Sequence, residues 1–368
     1  MQDLSKIVQI KEAAEADLLK RPGVTAVDVG YKYVGGQKTD QIAIRVHVAE
    51  KKNVPPDQKI PETIDGVKTD VLQNQFVLQA VTMPETDIQP QLDAQLYDPL
   101  QGGISIGPCR AVNGFIFAGT LGAVVLDNAS NTPMMLSNFH VMCIDSGWQV
   151  GDTMVQSSRI DGGTCPNNVV GTLQRASLGG QVDCAVASIT ARGYASSIVD
   201  IGPVAGTANA ALGMTARKRG RTTELTFGSV DSISLTVSLN YGDGLGNVTL
   251  SNQIGVQVDS TRSTKFSDHG DSGSVVVNDA RQVIGLLFAG STDGTTSIVN
   301  PIQSVLNALN ISIRIPFSTR ILETGTTFAP ETDGVWLMAD YDRDGIPDLV
   351  FIKTSNTGTG TVEVHIAA

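Results

Sequence analysis

The sequence predicts a mainly β protein, and three observations carry that expectation. Glycine is abundant, at 38 residues, while aromatics make up only 5% of the chain; short strands joined by tight turns use that balance better than long helices do. From residue 104 to about 315, short apolar runs recur between Gly, Asn and Asp turns, at 114–126, 169–173, 182–189, 229–239, 248–258 and 275–277. Only one late stretch, 301–309, reads as a helix. Strands at that spacing close into a barrel or pack as a sandwich.

The flanks read differently. Residues 3–20 place Leu4, Ile7, Val8, Leu18 and Leu19 roughly on one helical face, with charges opposite, and Arg21-Pro22-Gly23 stops the pattern. A strand over 24–33 and a Gly35-Gly36 turn follow. Next, Ile42, Ile44, Val46 and Val48 alternate with Ala43, Arg45 and His47, as a half-buried strand does. Residues 1–82 are therefore expected to form a small α/β domain. Residues 83–103, rich in Pro, Gln and Asp, read as a linker. The β-rich domain spans 104–321. A short β module fills 328–368, with strands at 336–338, 349–352 and 362–366. No internal repeat of 20–50 residues is visible.

At 368 residues and 41% hydrophobic content, the chain can bury more than one core. Its net charge of −11 argues against a nucleic-acid partner, because phosphate binding needs a basic face. No run of about 18 apolar residues is present to span a membrane. The N-terminus has neither a basic start nor an uninterrupted apolar run, so it is not read as a secretory signal, and the cytoplasm is the favoured compartment. Four cysteines, Cys109, Cys143, Cys165 and Cys184, allow three full pairings. With no export signal, free buried thiols are the default expectation.

Chemistry concentrates in Gly270-Asp-Ser-Gly-Ser274. Ser272 stands between small neighbours, directly before an apolar run. A substrate carbonyl can approach it, and the main-chain N–H groups of Gly270 and Ser272 can face a developing oxyanion. A nucleophilic serine needs a base, and the chain has only four histidines. His140 ends the apolar strand of Met134-Met-Leu-Ser-Asn-Phe-His140, whereas His269 is too close along the backbone to swing onto Ser272. Asp183 opens the apolar run Val182-Asp-Cys-Ala-Val-Ala187, where a charge is costly unless paired. The bland readings are a satisfied core histidine and a turn aspartate.

The order His140, Asp183, Ser272 is similar to that of chymotrypsin-like, trypsin-fold serine proteases. Gly119-Thr-Leu-Gly122 before Leu136-Ser-Asn-Phe-His140, Lys218-Arg-Gly-Arg-Thr-Thr223 and Val283-Ile-Gly-Leu-Leu-Phe-Ala-Gly290 resemble further family segments in the right order. The pattern looks closest to plant narrow-leaf-type and related bacterial trypsin-like proteins. The resemblance implies a double β-barrel over 104–321. It implies catalytic roles for His140, Asp183 and Ser272 and an oxyanion hole at Gly270 and Ser272. It also implies a cleft lined by Phe266, Phe288, Ala289 and Gly290. Phe266 stands where the family sets specificity, so a small or apolar residue is expected before the scissile bond. Phe288-Ala-Gly290 departs from the family's usual Ser-Trp-Gly, which leaves the pocket shape open. No cofactor is expected for catalysis.

Asp340-Tyr-Asp-Arg-Asp-Gly-Ile-Pro-Asp348 sets carboxylates at alternate positions around a glycine. Asp340, Asp342, Asp344 and Asp348, with the carbonyl of Ile346, supply the oxygen ligands that a structural Ca²⁺ takes. The loop resembles that of FG-GAP or VCBS-type repeats; a solvated acidic turn is the plain alternative. The expected function is a serine endopeptidase acting on a protein or peptide, with room for a homo-oligomer. The competing reading is a protease-fold scaffold of weak activity. Self-processing in 83–103, with the N-terminal domain as an inhibitory prosegment, is a further expectation.

Overall fold

Six strands close one barrel by hydrogen bonding all the way round. In spatial order they are Thr215–Gly220, Glu224–Asn240, Asn247–Val258, Thr296–Pro301, Val283–Ser291 and Val275–Val277, which returns to the first. Inward-facing Val230, Val256, Phe266, Val276, Leu287 and Val299 fill it. The computed structural model that shows this describes residues 3–87, 93–242, 244–313, 334–339, 348–353 and 363–367. It divides into two units, Met1–Pro316 and Phe317–Ala368.

The other barrel precedes it in the chain. Its strands run Ala123–Asp127, Pro133–Ser137, Val182–Ser188, Val169–Gly179, Thr153–Val155, Ile104–Pro108 and Phe115–Leu121. The last and first of these are one strand bent at Gly122, and that bend closes the sheet. A Cβ on Gly122 would fall 2.1 Å from the Gly273 carbonyl oxygen, so only glycine passes there. A shared apolar cluster of Val125, Leu136, Val186, Val275 and Leu286 joins the barrels, and Ile302 and Val305 of the helix Ile302–Leu309 complete it. The chain then pairs Ile311–Ile313 back onto Ala123–Asp127.

The N-terminal region is not separate from this unit. The helix Leu4–Leu19, capped by Asp3, packs on the hairpin of Val24–Val34 and Gln37–Val48. That hairpin pairs with Glu224–Asn240, a strand of 17 residues long enough to serve the barrel and the hairpin together. Arg45 and His47, expected on a solvent face by alternation, are buried at 2% and 1% exposure. The reason is a charge cluster. Both oxygens of buried Asp28 accept from Arg45, at 2.7 Å each, and Arg45 also donates to Asp231 at 2.5 Å. His47 Nε2 lies 3.0 Å from Asp28, and Asn74 lies 3.0 Å from the other ring nitrogen.

The expected linker 83–103 also carries structure. Val81–Pro84 pairs with Phe115–Leu121, and Leu100–Gly102 pairs with Tyr194–Ile198. Asp93, buried between them in sequence, accepts the Ser105 N–H at 2.7 Å. Polar composition misleads here because the pairing partners are remote in sequence. In the second unit, Gly334–Ala339, Asp348–Lys353 and Glu363–Ala367 form an antiparallel meander.

Burial opposes charge on Asp28, yet Arg45 and His47 outweigh it and hold the carboxyl well below the usual carboxylate range. A depressed folded-state pKa gives stability that is complete at neutral pH and is lost as pH falls below that range. Asp28→Asn leaves Arg45 buried with half its partners, and should cost about 3–5 kcal/mol in urea unfolding at neutral pH. The gap from wild type should narrow once the pH drops below about 4. A gap that stays constant as the pH is taken well below that value would refute the charge-pair account.

Candidate active site

The serine, histidine and aspartate come from three separate elements and meet between the barrels. Pro133–Ser137 ends one barrel strand, and the short helix Phe139–Met142 turns His140 back toward the second barrel. Asp183 is the second residue of Val182–Ser188, whose pairing with Pro133–Ser137 fixes its distance from His140. His140 Nδ1 lies 2.5 Å from Asp183 Oδ2, and the His140 backbone N–H donates to Oδ1 at 3.2 Å. On the other side, His140 Nε2 is 2.8 Å from Ser272 Oγ. With the Nδ1 proton held by the carboxylate, Nε2 is left to accept from the serine hydroxyl.

Asp183 is fully buried and well supplied with partners. Tyr241 donates its hydroxyl to Oδ2 at 2.9 Å. Burial, with the nearby Asp183 charge and that hydrogen bond, pushes the Tyr241 hydroxyl well above its usual range, so it stays a donor. The Asp183 backbone is tied as well. Asn138 donates to its carbonyl at 2.7 Å, and its N–H donates to Asn300 at 3.1 Å.

The serine loop is held from behind by Asp271. Its carboxylate accepts the N–H groups of Thr222, Thr223 and Asp268 at 2.9, 3.1 and 2.9 Å, and the Thr223 hydroxyl at 2.6 Å. Lys218 reaches it at 3.2 Å, with both groups fully buried. Burial pulls the Lys218 ammonium below its usual range against the attraction of Asp271. The first barrel grips the same loop: Thr120 donates its N–H to the Ser272 carbonyl at 2.7 Å and its hydroxyl to the Gly270 carbonyl at 2.9 Å. Gly273 needs its positive φ of 94°, and a Cβ there would meet Thr120 O at 2.2 Å. The Gly119-Thr-Leu-Gly122 segment is thus the seat of the serine loop.

The N–H groups of Gly270 and Ser272 converge on one acceptor. Both donate to the carbonyl oxygen of Gln79, at 2.5 and 3.3 Å. Gln79 donates its own N–H to Phe288 O at 3.2 Å. Phe76–Leu78 pairs antiparallel with Val283–Ser291, matching Leu78 with Ala289 and Val77 with Gly290. So Phe288, Ala289 and Gly290 form a backbone edge, and the occupant is the chain itself. Phe266 is a fully buried residue of the second barrel's core, packed under Gly228. A cavity of about 410 Å³ borders His140, lined by Leu78, Ala80, Thr82, Phe117 and Tyr241 among others.

His269, set aside as a base, is exposed, and its Nδ1 lies 3.2 Å from Ala80 O. Cys109 and Cys165 form a disulfide, contrary to the default of free thiols. Cys143 and Cys184 are free and buried, and burial pushes both thiols up, which suits packing rather than reactivity. Asp340, Asp342, Asp344 and Ile346 lie outside the described residues, and of Asp348 only the strand backbone is described. Tyr241, Lys218 and Gln79 are the site residues that sequence reasoning missed. Lys218 stood inside a recognised segment without a role, and nothing local marks the other two.

No family model and no curated protein matches the chain. Among solved structures it is similar to Thermobifida fusca protease A, at 20% identity and a TM-score of 0.43 over 58% of this chain and 98% of that one. It is also similar to Cellulomonas bogoriensis chymotrypsin, at 20% identity and a TM-score of 0.41 over 58% and 98%. A glutamic-acid-specific serine protease matches at 21% identity and a TM-score of 0.42, over 58% of this chain and all of that one. The double barrel is read from this chain's own strand pairing, and the site from its own side chains.

Lys218→Met should remove the ammonium beside buried Asp271 and cost about 3–5 kcal/mol. Chemical denaturation followed by tryptophan fluorescence measures it, and a loss under about 1 kcal/mol would show that the backbone donors hold Asp271 unaided.

Proposed function

We propose that this protein is a serine endopeptidase that hydrolyses peptide bonds of an extended protein or peptide through an acyl-enzyme. One observation supports this above the others: His140 bridges Asp183 and Ser272 at 2.5 and 2.8 Å while two N–H groups beside Ser272 converge on a single carbonyl oxygen. In this reading Ser272 Oγ attacks the carbonyl carbon as His140 Nε2 takes its proton. The negative charge growing on the carbonyl oxygen meets the N–H groups of Gly270 and Ser272, already aligned by Asp271. His140 then protonates the leaving amine, and a water, activated by the same imidazole, frees the acyl group. Asp183 holds the ring in the tautomer that leaves Nε2 basic and stabilises its charged form. Tyr241 and the fixed backbone keep that carboxylate in place.

The test is labelling by a fluorophosphonate probe, which needs an activated serine. Because Gln79 O fills the donor pair, it is run on wild type and on Phe76→Asp, which puts a charge under the paired segment and should unseat it. Val77→Pro is a second, milder way to break that pairing. Ser272-dependent labelling is expected, stronger in the two variants. Absence of labelling in all three folded proteins would rule out the peptidase reading. In a variant that turns over a peptide, Tyr241→Phe removes a hydrogen bond to a charged acceptor worth about 1.5–3 kcal/mol. It should lower kcat about ten-fold or more while leaving KM nearly unchanged; an unchanged kcat would remove Tyr241 from the mechanism.

A further inference from the structure

The cleft is not empty, and the way it is filled has chemical meaning. Residues 76–84 cross it from one barrel to the other. Phe76–Leu78 adds a strand to the edge at Ala289–Ser291. Gln79 then spans the site, with its N–H on Phe288 O and its carbonyl oxygen on the Gly270 and Ser272 N–H groups. Ala80 O sits 3.2 Å from His269 Nδ1, and Val81–Pro84 pairs with Phe115–Leu121 of the first barrel. Strand addition of this kind is how an extended peptide docks on a sheet edge.

We infer that residues 76–84 are the chain's own substrate, and that Gln79–Ala80 is the bond Ser272 cuts within the same molecule. This rests on the peptidase reading above and adds the bond, the residue preferred before it and the control of access. The carbonyl presented to the donor pair belongs to Gln79, so the peptide bond that follows it is the one placed at Ser272. Ser272 Oγ forms an ester with Gln79 as the Gln79–Ala80 C–N bond breaks, and Ala80 leaves with a proton from His140. Water then hydrolyses the ester, leaving a Gln79 carboxylate and restoring the Ser272 hydroxyl. No co-reactant other than water is consumed. The cut lies upstream of the expected processing region at 83–103, whose start is already paired with the first barrel.

The side chain of Gln79 is enclosed beside Gly290. Gln79 is 2% exposed, its Nε2 lies against the bare face of Gly290, and its Oε1 is buried without a hydrogen-bond partner. A Cβ at position 290 would fall 2.3 Å from that nitrogen, so glycine there is a condition of the fit. A carboxylate in the same place would be a buried charge without donors, so glutamine is favoured over glutamate. A small residue, one part of the expectation from Phe266, would leave that space unfilled.

The fragments would remain associated after the cut, because Val24–Val34 pairs with Glu224–Asn240. No disulfide joins them, since all four cysteines lie after residue 79. Denaturing mass spectrometry therefore separates and identifies them. The full-length chain is incubated beside Ser272→Ala. Wild type should yield two species meeting at Gln79 and Ala80, their masses summing to the intact chain plus one water, while Ser272→Ala stays whole. The rate should be unchanged over a roughly hundred-fold range of protein concentration, as a unimolecular step requires. Phe76→Asp should slow the cut at least ten-fold while labelling more strongly with fluorophosphonate, an opposite response that loss of folding cannot give. Cutting that scales with concentration, cutting elsewhere, or cutting that persists in Ser272→Ala would each overturn the inference. A chain labelled at Ser272 that never yields an Ala80 N-terminus would overturn it while leaving the peptidase reading intact. Failure to label any variant would bring down both.

Discussion

Asp271 is the fixed point of the site. Its neighbours on either side, Gly270 and Ser272, can aim their N–H groups at one oxygen only because the residue between them is turned away and fastened. Five donors do that fastening, three of them backbone N–H groups and one a buried ammonium. A carboxylate buried alone would be prohibitively costly, and a backbone carrying two parallel N–H groups without an acceptor would be costly as well. The loop is stable because both demands are met, behind by Lys218 and the threonines, in front by a carbonyl. The ammonium comes from a strand of the second barrel, while Thr120 of the first barrel holds the loop's carbonyls. The donor pair thus exists only where the two barrels meet.

That dependence explains what could be read from the sequence. Ser272, His140 and Asp183 were legible because each needs particular neighbours along the chain: glycines around the serine, a strand end before the histidine, an apolar run after the aspartate. The Gly119-Thr-Leu-Gly122 segment was legible as a pattern, and the structure gives its reason, since side chains at 119 or 122 would collide with the serine loop. Tyr241 was not legible. It sits in a turn 58 residues from Asp183, and no local feature announces that its hydroxyl crosses to that carboxylate.

The β class was plain from turn spacing and composition, but the N-terminal boundary was not. Alternation in Ile42–Val48 marks one apolar face correctly and leaves Arg45 and His47 on the other. Alternation cannot tell a wet face from one buried under an ion cluster, and here Asp28 and Asp231 bury it. The same limit hid residues 76–84. A three-residue strand has too few positions for a period, and its partner lies more than 200 residues away. Polar composition in the stretch that follows suggested a linker, although its first residues are held by Phe115–Leu121.

The strand at Val283–Ser291 would otherwise present unpaired N–H and C=O groups along its Ala289–Ser291 end, a liability that folded proteins cover. Covering it with the chain's own segment has a consequence for any external substrate. A tethered strand competes at an effective concentration of roughly millimolar or more, because its ends are already held beside the site. A peptide binding the same edge in trans must exceed that, or the segment must leave. The segment is also anchored beyond the edge itself, through Phe76 in a cluster with Phe288 and in edge-on contact with His47. His47 in turn touches Asp28, which Arg45 ties to Asp231 of the second barrel. The occupant of the cleft and the ion cluster that docks the N-terminal hairpin are therefore one connected network. The strand and the cluster thus share His47, which pairs with Asp28 and packs on Phe76.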